Sequence, residues 1–156
     1  MEMENKGRVF SVNGPVVVAV NLQGAKMYDM VKVGEKGLVG EIIGIHEDRV
    51  TIQVYEETAG IKPGEPVIST FEPLSVELGP GLIGSIFDGT QRPLEKIRAD
   101  FGDFIARGVE TEALDRTRKW HFRPTVTVGA EVTAGDILGE VEETKTITHK
   151  IMIPPG

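Results

Sequence analysis

The first seventy residues alternate between short apolar runs and polar turns, which is the pattern of consecutive β-strands. Within residues 49–55, Val50, Ile52 and Val54 alternate with polar residues, as expected for a strand that buries one face. An Asn-Gly-Pro sequence at residues 13–15 is typical of a tight turn between two such runs. The predicted strands are Arg8–Val12, Val16–Val20, Met27–Val33, Leu38–Ile45, Arg49–Tyr55 and Pro66–Thr70.

The spacing of these strands predicts how they are arranged. Short strands that recur about every 8–12 residues favour a sandwich or a barrel. Six of them in so short a stretch favour a small closed barrel, because closure leaves no exposed strand edge. We therefore predict a closed N-terminal β-barrel over residues 1–72.

The pattern changes after the barrel. Apolar residues at helical spacing predict two short helical pieces, over residues 82–87 and 94–101, which Pro93 separates. These pieces form a predicted helical connector over residues 73–109. Residues 108–123 are polar and irregular, and they contain the single tryptophan, Trp120.

A second β pattern begins at Pro124. It predicts a partial, barrel-sandwich-like β domain over residues 110–156, so that the whole chain is mainly β. The sequence ends in Pro154-Pro155-Gly156, which resembles a turn before another strand, and we expect this domain to be truncated. The predicted strands are Thr125–Val128, Glu131–Val132, Ile137–Val141 and Thr146–Ile153.

Charge and composition exclude several classes of function. The net charge is −7 with scattered cations, which argues against a nucleic-acid surface or binding to an anionic membrane. There is no cysteine, so disulfides, thiolate catalysis and Cys-ligated zinc are excluded. The most apolar run, Val16–Val20, is far too short to cross a bilayer. We expect a soluble chain without direct membrane insertion.

A glycine-rich segment at residues 79–84 is the most suggestive motif. It matches G-x-G-x-x-G, and Asp100 follows at about the distance of a ribose-binding acid. No buried parallel strand precedes it, and Pro93 interrupts the helix that a dinucleotide fold needs. We interpret the segment as a glycine-bearing helix entry rather than a cofactor site.

Other candidate sites are weak. None of the lysines follows a glycine, so the chain has no Walker A motif. His46, His121 and His149 lack partners at metal-ligand spacing, which favours single solvated or hydrogen-bonded histidines. The acidic pairs at residues 56–57 and 142–143 favour solvated faces, because neighbours in a strand point to opposite sides. We therefore predict no catalytic, cofactor-binding or metal-binding residue.

One lysine supports an alternative. Residues 129–145 resemble the first half of a biotinyl or lipoyl carrier domain, in which a hairpin presents the modified lysine, and Lys145 falls near that position. The flanking Thr144 and Thr146 differ from the residues usual in such domains. A carrier module that uses Lys145 is the runner-up hypothesis, and a free-standing interaction domain is the third.

Several stretches together resemble the catalytic A subunit of archaeal and vacuolar rotary ATPases. The opening of the barrel is GRVFSVNGPVV, its exit is QVYEETAGIKPGEPV, and residues 78–94 read LGPGLIGSIFDGTQRPL. The sequences ALDR at residues 113–116 and HKIMIPPG at residues 149–156 resemble the bulge, or non-homologous region, of that family. The resemblance runs in order along essentially the whole chain.

This resemblance implies a role in assembly rather than in chemistry. In that family the Mg-ATP/ADP site belongs to a later part of the polypeptide, so this segment alone is predicted to be catalytically inert. The barrels join into a crown ring of alternating A and B subunits, and the bulge reaches towards the peripheral stalks. The complex is a cytoplasmic head, peripheral to the membrane. The predicted subunit-contact residues are Tyr55, Glu56, Glu57, Thr58 and Gly60.

Overall fold

The structure is a computed structural model that describes residues 6–103, 106–109 and 111–155. Its contacts divide the chain into two compact units, described separately below. The barrel unit comprises Met1–Ser75 with Phe101–Glu110, and the second unit comprises Val76–Asp100 with Thr111–Gly156. This grouping divides the predicted connector between both units, while the domain boundaries at residues 72 and 109 stay predictions.

The barrel unit is built from six antiparallel strands that close in the order β1-β2-β5-β4-β3-β6. The predicted closed barrel is thereby confirmed, with strand ends that differ by only a few residues. Register shifts at Val9/Ser11 and Ile42/Gly44 mark bulges, which bend strands and help a small sheet to close. The strands are β1 (Lys6–Asn13), β2 (Val16–Val20), β3 (Asp29–Val33), β4 (Leu38–His46), β5 (Arg49–Val54) and β6 (Pro66–Pro73).

Alternate residues of these strands fill the barrel. Ile42, Ile52, Val31 and Val67 are completely buried, and the residues next to them along each strand point outward. Some of these neighbours are polar, such as Gln53, and others, such as Ile43 and Ile68, are exposed apolar residues. Twelve buried apolar residues form one cluster, so the period-two pattern of the sequence is also the pattern of burial. Burial of these side chains is the main stabilising term of this unit.

Only one of the two predicted helical pieces forms. Helix α1 (Leu94–Phe101) confirms the second, with Pro93 immediately before it. The prediction of a helix at residues 82–87 is wrong, because Gly81 and Gly84 adopt φ angles of 108° and 88°, outside the right-handed helical region. Phe87 instead pairs with Pro93 in an isolated bridge. None of the helices in the described residues is long and apolar enough to cross a bilayer.

The second unit contains a three-stranded antiparallel sheet of order β7-β8-β9, made of β7 (Phe122–Pro124), β8 (Ile137–Thr144) and β9 (Ile147–Met152). The two predicted strands nearest the C-terminus are therefore confirmed in position. The chain is mainly β, as predicted.

Two predicted strands of this unit do not form. Residues 125–128 and 131–132 form no strand. The Thr125 N–H still donates to the carbonyl of Leu138, but a turn in which the Ala130 N–H donates to the carbonyl of Thr127 ends this pairing. The turn at Gly129, which has a φ of 90°, therefore outweighs the β propensity of the Thr-Val-Thr-Val run. A second turn follows at residues 133–136, where the Asp136 carboxylate accepts hydrogen bonds from the Thr133 N–H and hydroxyl. Strand β7 forms where an irregular segment is predicted, and it ends at Pro124 on the sheet edge, where a missing N–H is tolerated.

Candidate functional site

The predicted contact residues lie in one loop, residues 55–60, which follows β5 and is called the contact segment below. Tyr55, Glu57 and Gly60 are exposed, whereas Glu56 is half-buried and Thr58 is only 9% exposed. The structure thus brings the five residues together in one loop but points them in two directions. Three of them are exposed to solvent.

The buried residues of the contact segment hold it to the barrel. The Thr58 hydroxyl donates a hydrogen bond of 2.6 Å to the carbonyl of Gly14, in the turn between β1 and β2. The Glu56 carboxylate accepts a hydrogen bond of 2.9 Å from the N–H of Gly108. Thr58 and Glu56 therefore act as anchors of the loop, which sequence alone did not distinguish from its exposed residues.

Tyr55 stands at the edge of the segment and is tied to the barrel wall. Its hydroxyl donates a hydrogen bond of 2.8 Å to Glu41 Oε2. Burial, together with this hydrogen bond to a carboxylate, raises the pKa of Tyr55 above its ordinary value. The side chain stays neutral and is partly exposed, an amphipathic arrangement that is common at interfaces.

In the second unit, the glycine-rich segment at residues 79–84 surrounds a carboxylate. Glu143 Oε1 accepts hydrogen bonds from the N–H groups of Gly81 at 2.7 Å and Ile83 at 3.2 Å. Glu143 Oε2 lies 3.2 Å from His149 Nδ1. The Glu143 side chain is 2% exposed, so the prediction of a solvated acidic pair is wrong for Glu143. Glu142, at 60% exposure, fits that prediction.

The charge of Glu143 is stabilised by its donors. Burial alone would raise the pKa of Glu143, but the hydrogen bonds from Gly81, Ile83 and His149 outweigh that effect and lower it below its ordinary value. Alternation along β8 explains how neighbours differ so strongly, since adjacent side chains leave opposite faces of a strand. The contact between His149 and Glu143 agrees with the prediction of a hydrogen-bonded histidine.

This geometry changes the meaning of the G-x-G-x-x-G match. In a dinucleotide fold the amides of such a segment point at a pyrophosphate. Here the Gly81 and Ile83 amides are bound by a carboxylate of the chain itself. Gly81 and Gly84 supply the positive φ angles of this turn. The match therefore marks an internal carboxylate contact, called the clasp below, and the helix-entry interpretation is corrected.

A second carboxylate organises the segment before α1. Asp88 Oδ1 accepts hydrogen bonds from the N–H and hydroxyl of Thr90 and from the N–H of Arg92, at 2.9–3.1 Å. The guanidinium Nε of Arg92 donates to Asp88 Oδ2 at 2.7 Å. Burial opposes ionisation, but these donors lower the pKa of Asp88. Asp88 therefore organises the Asp-Gly-Thr-Gln-Arg turn, and the Gln91 side chain ties this turn to the backbone of Glu77 through two hydrogen bonds of 2.6 Å.

A cavity of about 480 Å³ lies beside these turns within the second unit. Its lining carries both signs of charge, with Glu95 and Asp115 near Lys96 and Arg118. The Asp115 carboxylate accepts hydrogen bonds from the hydroxyl and N–H of Thr117, at 2.6 and 2.9 Å, which lower the pKa of Asp115. A phosphate site needs converging cations and free amides, and this mixed lining does not resemble one.

Lys145 lies exposed in the two-residue turn between β8 and β9, flanked by the paired residues Thr144 and Ile147. The Thr144 hydroxyl oxygen accepts hydrogen bonds from the N–H groups of Thr146 and Ile147. A hairpin tip is where the carrier hypothesis expects its lysine. Modification of Lys145 stays an untested prediction.

Comparison with known families defines the class of protein. A model described as ATP synthase alpha/beta family, beta-barrel domain, matches residues 9–70. A second, described as ATPsynthase alpha/beta subunit barrel-sandwich domain, matches residues 111–156. These matches coincide with the six-stranded barrel and with the sheet of β7, β8 and β9. The chain belongs to the ATP synthase alpha/beta family.

Individual relatives narrow this class to one type of polypeptide. The chain is 64% identical to the A subunit of the A-type ATP synthase of Pyrococcus abyssi, over 99% of its own length and 15% of the relative's. It is 63% identical to the V-type ATP synthase alpha chain of Clostridium botulinum strain Langeland, over 96% of the chain and 25% of that relative. The corresponding A-type protein of Desulfurococcus sp. strain SY is 62% identical, with coverages of 96% and 26%. The chain therefore corresponds to an N-terminal segment of such proteins and spans about a quarter or less of their length.

Proposed function

We propose that this chain is the ring-assembly segment of the catalytic A subunit of an ion-translocating A/V-type ATP synthase. Its barrel contributes to a crown in which A and B subunits alternate, and it holds no nucleotide itself. The observation that carries the proposal is the identity of more than 60% to A-type and V-type relatives over nearly the whole chain. A closed barrel is a suitable crown element, because its ladders are complete and it resists shear from a rotating shaft.

The contact segment supplies the surface for this role. Thr58 and Glu56 hold the loop through their hydrogen bonds to the backbone of other parts of the barrel unit. Tyr55, Glu57 and Gly60 are exposed. Pre-organised loops lose little conformational entropy on binding, so a fixed loop is a better contact surface than a mobile one. In an alternating ring the contact is heterologous, and the segment meets a different surface on the B subunit.

The catalytic role belongs to the complete polypeptide in this proposal. Mg-ATP or Mg-ADP binds to parts of it beyond this segment, since no lysine here follows a glycine in a Walker A arrangement. The Glu143 carboxylate occupies the amides of the glycine-rich segment, which further supports an inert role. The second unit, as part of the bulge, contacts the peripheral stalk, and the head lies on the cytoplasmic side of the membrane.

An association assay with B subunits tests the proposal. The chain should bind purified B subunits, and Glu57→Lys should weaken binding by placing a cation in the contact surface. Asp48→Lys is the matched control, because Asp48 is an exposed acid at the opposite end of β5. If the chain does not associate while the full-length protein does, or if both variants weaken binding equally, this role for the segment is wrong.

A nucleotide titration tests the proposal that this segment binds no nucleotide. Isothermal titration of the chain with Mg-ATP should give no saturable heat, whereas the full-length protein should bind. Saturable binding to the chain would contradict the assignment of the nucleotide site to the remainder of the polypeptide.

A carrier role for Lys145 is the second candidate. The observation that favours it is the position of this lysine at the tip of the β8–β9 hairpin. Its sequence surroundings and the family of the chain favour the assembly role instead.

A further inference from the structure

The contact segment is held by a part of the chain that follows it by about fifty residues. Residues 106–109 pack against the barrel, and the Arg107 guanidinium points at the backbone of the segment. Arg107 Nη1 donates hydrogen bonds to the carbonyl of Ala59 at 2.6 Å and to the carbonyl of Glu57 at 3.3 Å. It also lies 3.9 Å from Glu57 Oε2. One side chain therefore contacts the loop at two places on its backbone.

The residue after Arg107 fixes the approach of this short stretch. The Gly108 N–H donates to Glu56 Oε2 at 2.9 Å. Gly108 has a φ of 71°, and a Cβ built there would lie 2.0 Å from the carbonyl oxygen of Lys36. Only glycine fits this contact, because any side chain would collide with the backbone of the β3–β4 turn. Gly108 thus fixes the approach of Arg107, through its hydrogen bond to the Glu56 carboxylate and its close packing against the carbonyl of Lys36.

The contact segment needs such support because it leaves the barrel ladder. The Tyr55 N–H still donates to the carbonyl of Val39, at 2.9 Å, beside the last paired residues of β5. Farther along, Thr58 holds the loop to the β1–β2 turn and Arg107 holds its carbonyls. Arginine suits the second task, because its planar group offers several donors in a fixed geometry.

We propose that Arg107 is a positioning residue for binding of the ring partner: it orders the backbone of the contact segment while Tyr55, Glu57 and Gly60 remain exposed to that partner. The proposal rests on the assembly function above and deepens it. The bonds of Arg107 go to main-chain oxygens, so its effect reaches the partner through loop order rather than through direct contact. The weak exposed ion pair to Glu57 adds little to this effect.

The test combines a loop measurement with an association measurement, using the whole chain. Hydrogen exchange of the peptide that covers residues 55–61 should be faster in Arg107→Met than in the unchanged chain. Association with B subunits should weaken about 3- to 10-fold, because the loop must then be ordered on binding. Arg49→Met is the control, since it removes an exposed arginine at the other end of β5 and should change neither quantity.

Arg107→Lys separates positioning from charge. Lysine keeps the charge but offers a single ammonium, so it should recover part of the loop protection and only part of the association. Full recovery of association, with loop exchange as fast as in Arg107→Met, would show an electrostatic role and overturn the proposal. Unchanged exchange at residues 55–61 in Arg107→Met would also overturn the proposal, regardless of any change in association with B subunits.

The outcome also distinguishes this proposal from the assembly function. If Glu57→Lys weakens association while Arg107→Met does not, the contact surface stands and the positioning role fails. If Arg107→Met loosens the loop while neither Arg107→Met nor Glu57→Lys changes association, Arg107 orders the loop but has no effect on partner binding. In that case the contact segment is not the surface that binds the B subunit, and its proposed assembly role is wrong. A thermal unfolding curve confirms that the barrel remains folded in each variant.

Discussion

The barrel unit and the second unit are held together by different forces. Twelve buried apolar side chains from the barrel unit form its interior. Among the described residues of the second unit, the buried apolar residues are Ile97 and Val141. Carboxylates fix its backbone instead, with Asp88 and Glu143 each accepting several hydrogen bonds. The first unit is organised by burial of apolar surface and the second by charge-assisted hydrogen bonds.

This difference separates the conditions to which each unit responds. Apolar burial depends little on pH and responds to the volume of core side chains. A carboxylate clasp depends on ionisation and fails when its donors or its charge are removed. The predictions below probe one unit while the other serves as an internal reference.

The largest effect is expected in the barrel core. Ile52 is completely buried and belongs to the apolar cluster. Ile52→Ala should reduce the free energy of unfolding of the barrel by about 2–5 kcal/mol, through lost burial and the cavity left behind. Denaturant unfolding measures this. The control Gln53→Ala, at the exposed neighbour, should change stability by less than about 0.5 kcal/mol, and equal losses in both variants would contradict the assigned core.

A smaller effect is expected when the clasp of the second unit is weakened. Glu143→Gln removes the charge that the Gly81, Ile83 and His149 donors stabilise, and it should cost about 1–3 kcal/mol. Hydrogen exchange at residues 79–84 should rise while the barrel peptides stay unchanged. Glu142→Gln changes an exposed neighbour and should have almost no effect. Faster exchange throughout the barrel would show that the two units do not respond separately.

Acid should loosen the second unit through the same carboxylates. The pKa values of Glu143 and Asp88 are lowered in the folded chain, so the stability they contribute is complete above their ordinary values of 4.5 and 3.8. That stability is lost as the pH falls through the lower folded values. Exchange at residues 79–92 should therefore rise only in strongly acidic solution, and Glu143→Gln should reduce this pH dependence. If the protection of residues 79–92 did not change with pH, the stabilising role assigned to the charges of Glu143 and Asp88 would be wrong.

Sequence patterns predicted the barrel unit better than the second unit. The physical reason is that the barrel is organised by apolar burial and the second unit by hydrogen bonds to carboxylates. Alternating burial leaves a period-two signal that can be read from residues such as Val50, Ile52 and Val54. A hydrogen-bonded carboxylate leaves no periodic signal. Nothing in the acidic pair at residues 142–143 indicated that Glu143 would meet the amides of Gly81 and Ile83, far away along the chain.

The errors in the second unit follow from local turn chemistry. Apolar residues at helical spacing suggested a helix over residues 82–87, but Gly81 and Gly84 take positive φ angles there. The run at residues 125–128 has β propensity, yet it forms a bend and the start of a turn rather than a strand. At the candidate site, the assignment of residues 55–60 to a subunit contact stays a prediction from sequence, while the anchoring contacts of Thr58 and Arg107 join distant parts of the chain and leave no sequence signal.

The smallest expected effect is at the hairpin tip of the second unit. If the chain is an assembly segment, incubation with lipoyl or biotinyl ligase should leave the mass of Lys145 unchanged. Lys145→Arg should also leave hydrogen exchange at residues 79–84 unchanged, because this exposed side chain takes no part in the clasp. A ligase-dependent gain in mass that Lys145→Arg abolishes would instead establish the carrier function.

The most direct test of the assembly role is a hydrogen-exchange footprint of the chain with and without B subunits. Binding through the contact segment should slow exchange at residues 55–60. The β4–β5 turn at residues 46–48, at the opposite end of β5, should exchange as fast as it does without B subunits. Protection at residues 46–48 with none at residues 55–60, or no protection anywhere in the barrel, would contradict the proposed contact between this chain and its ring partners.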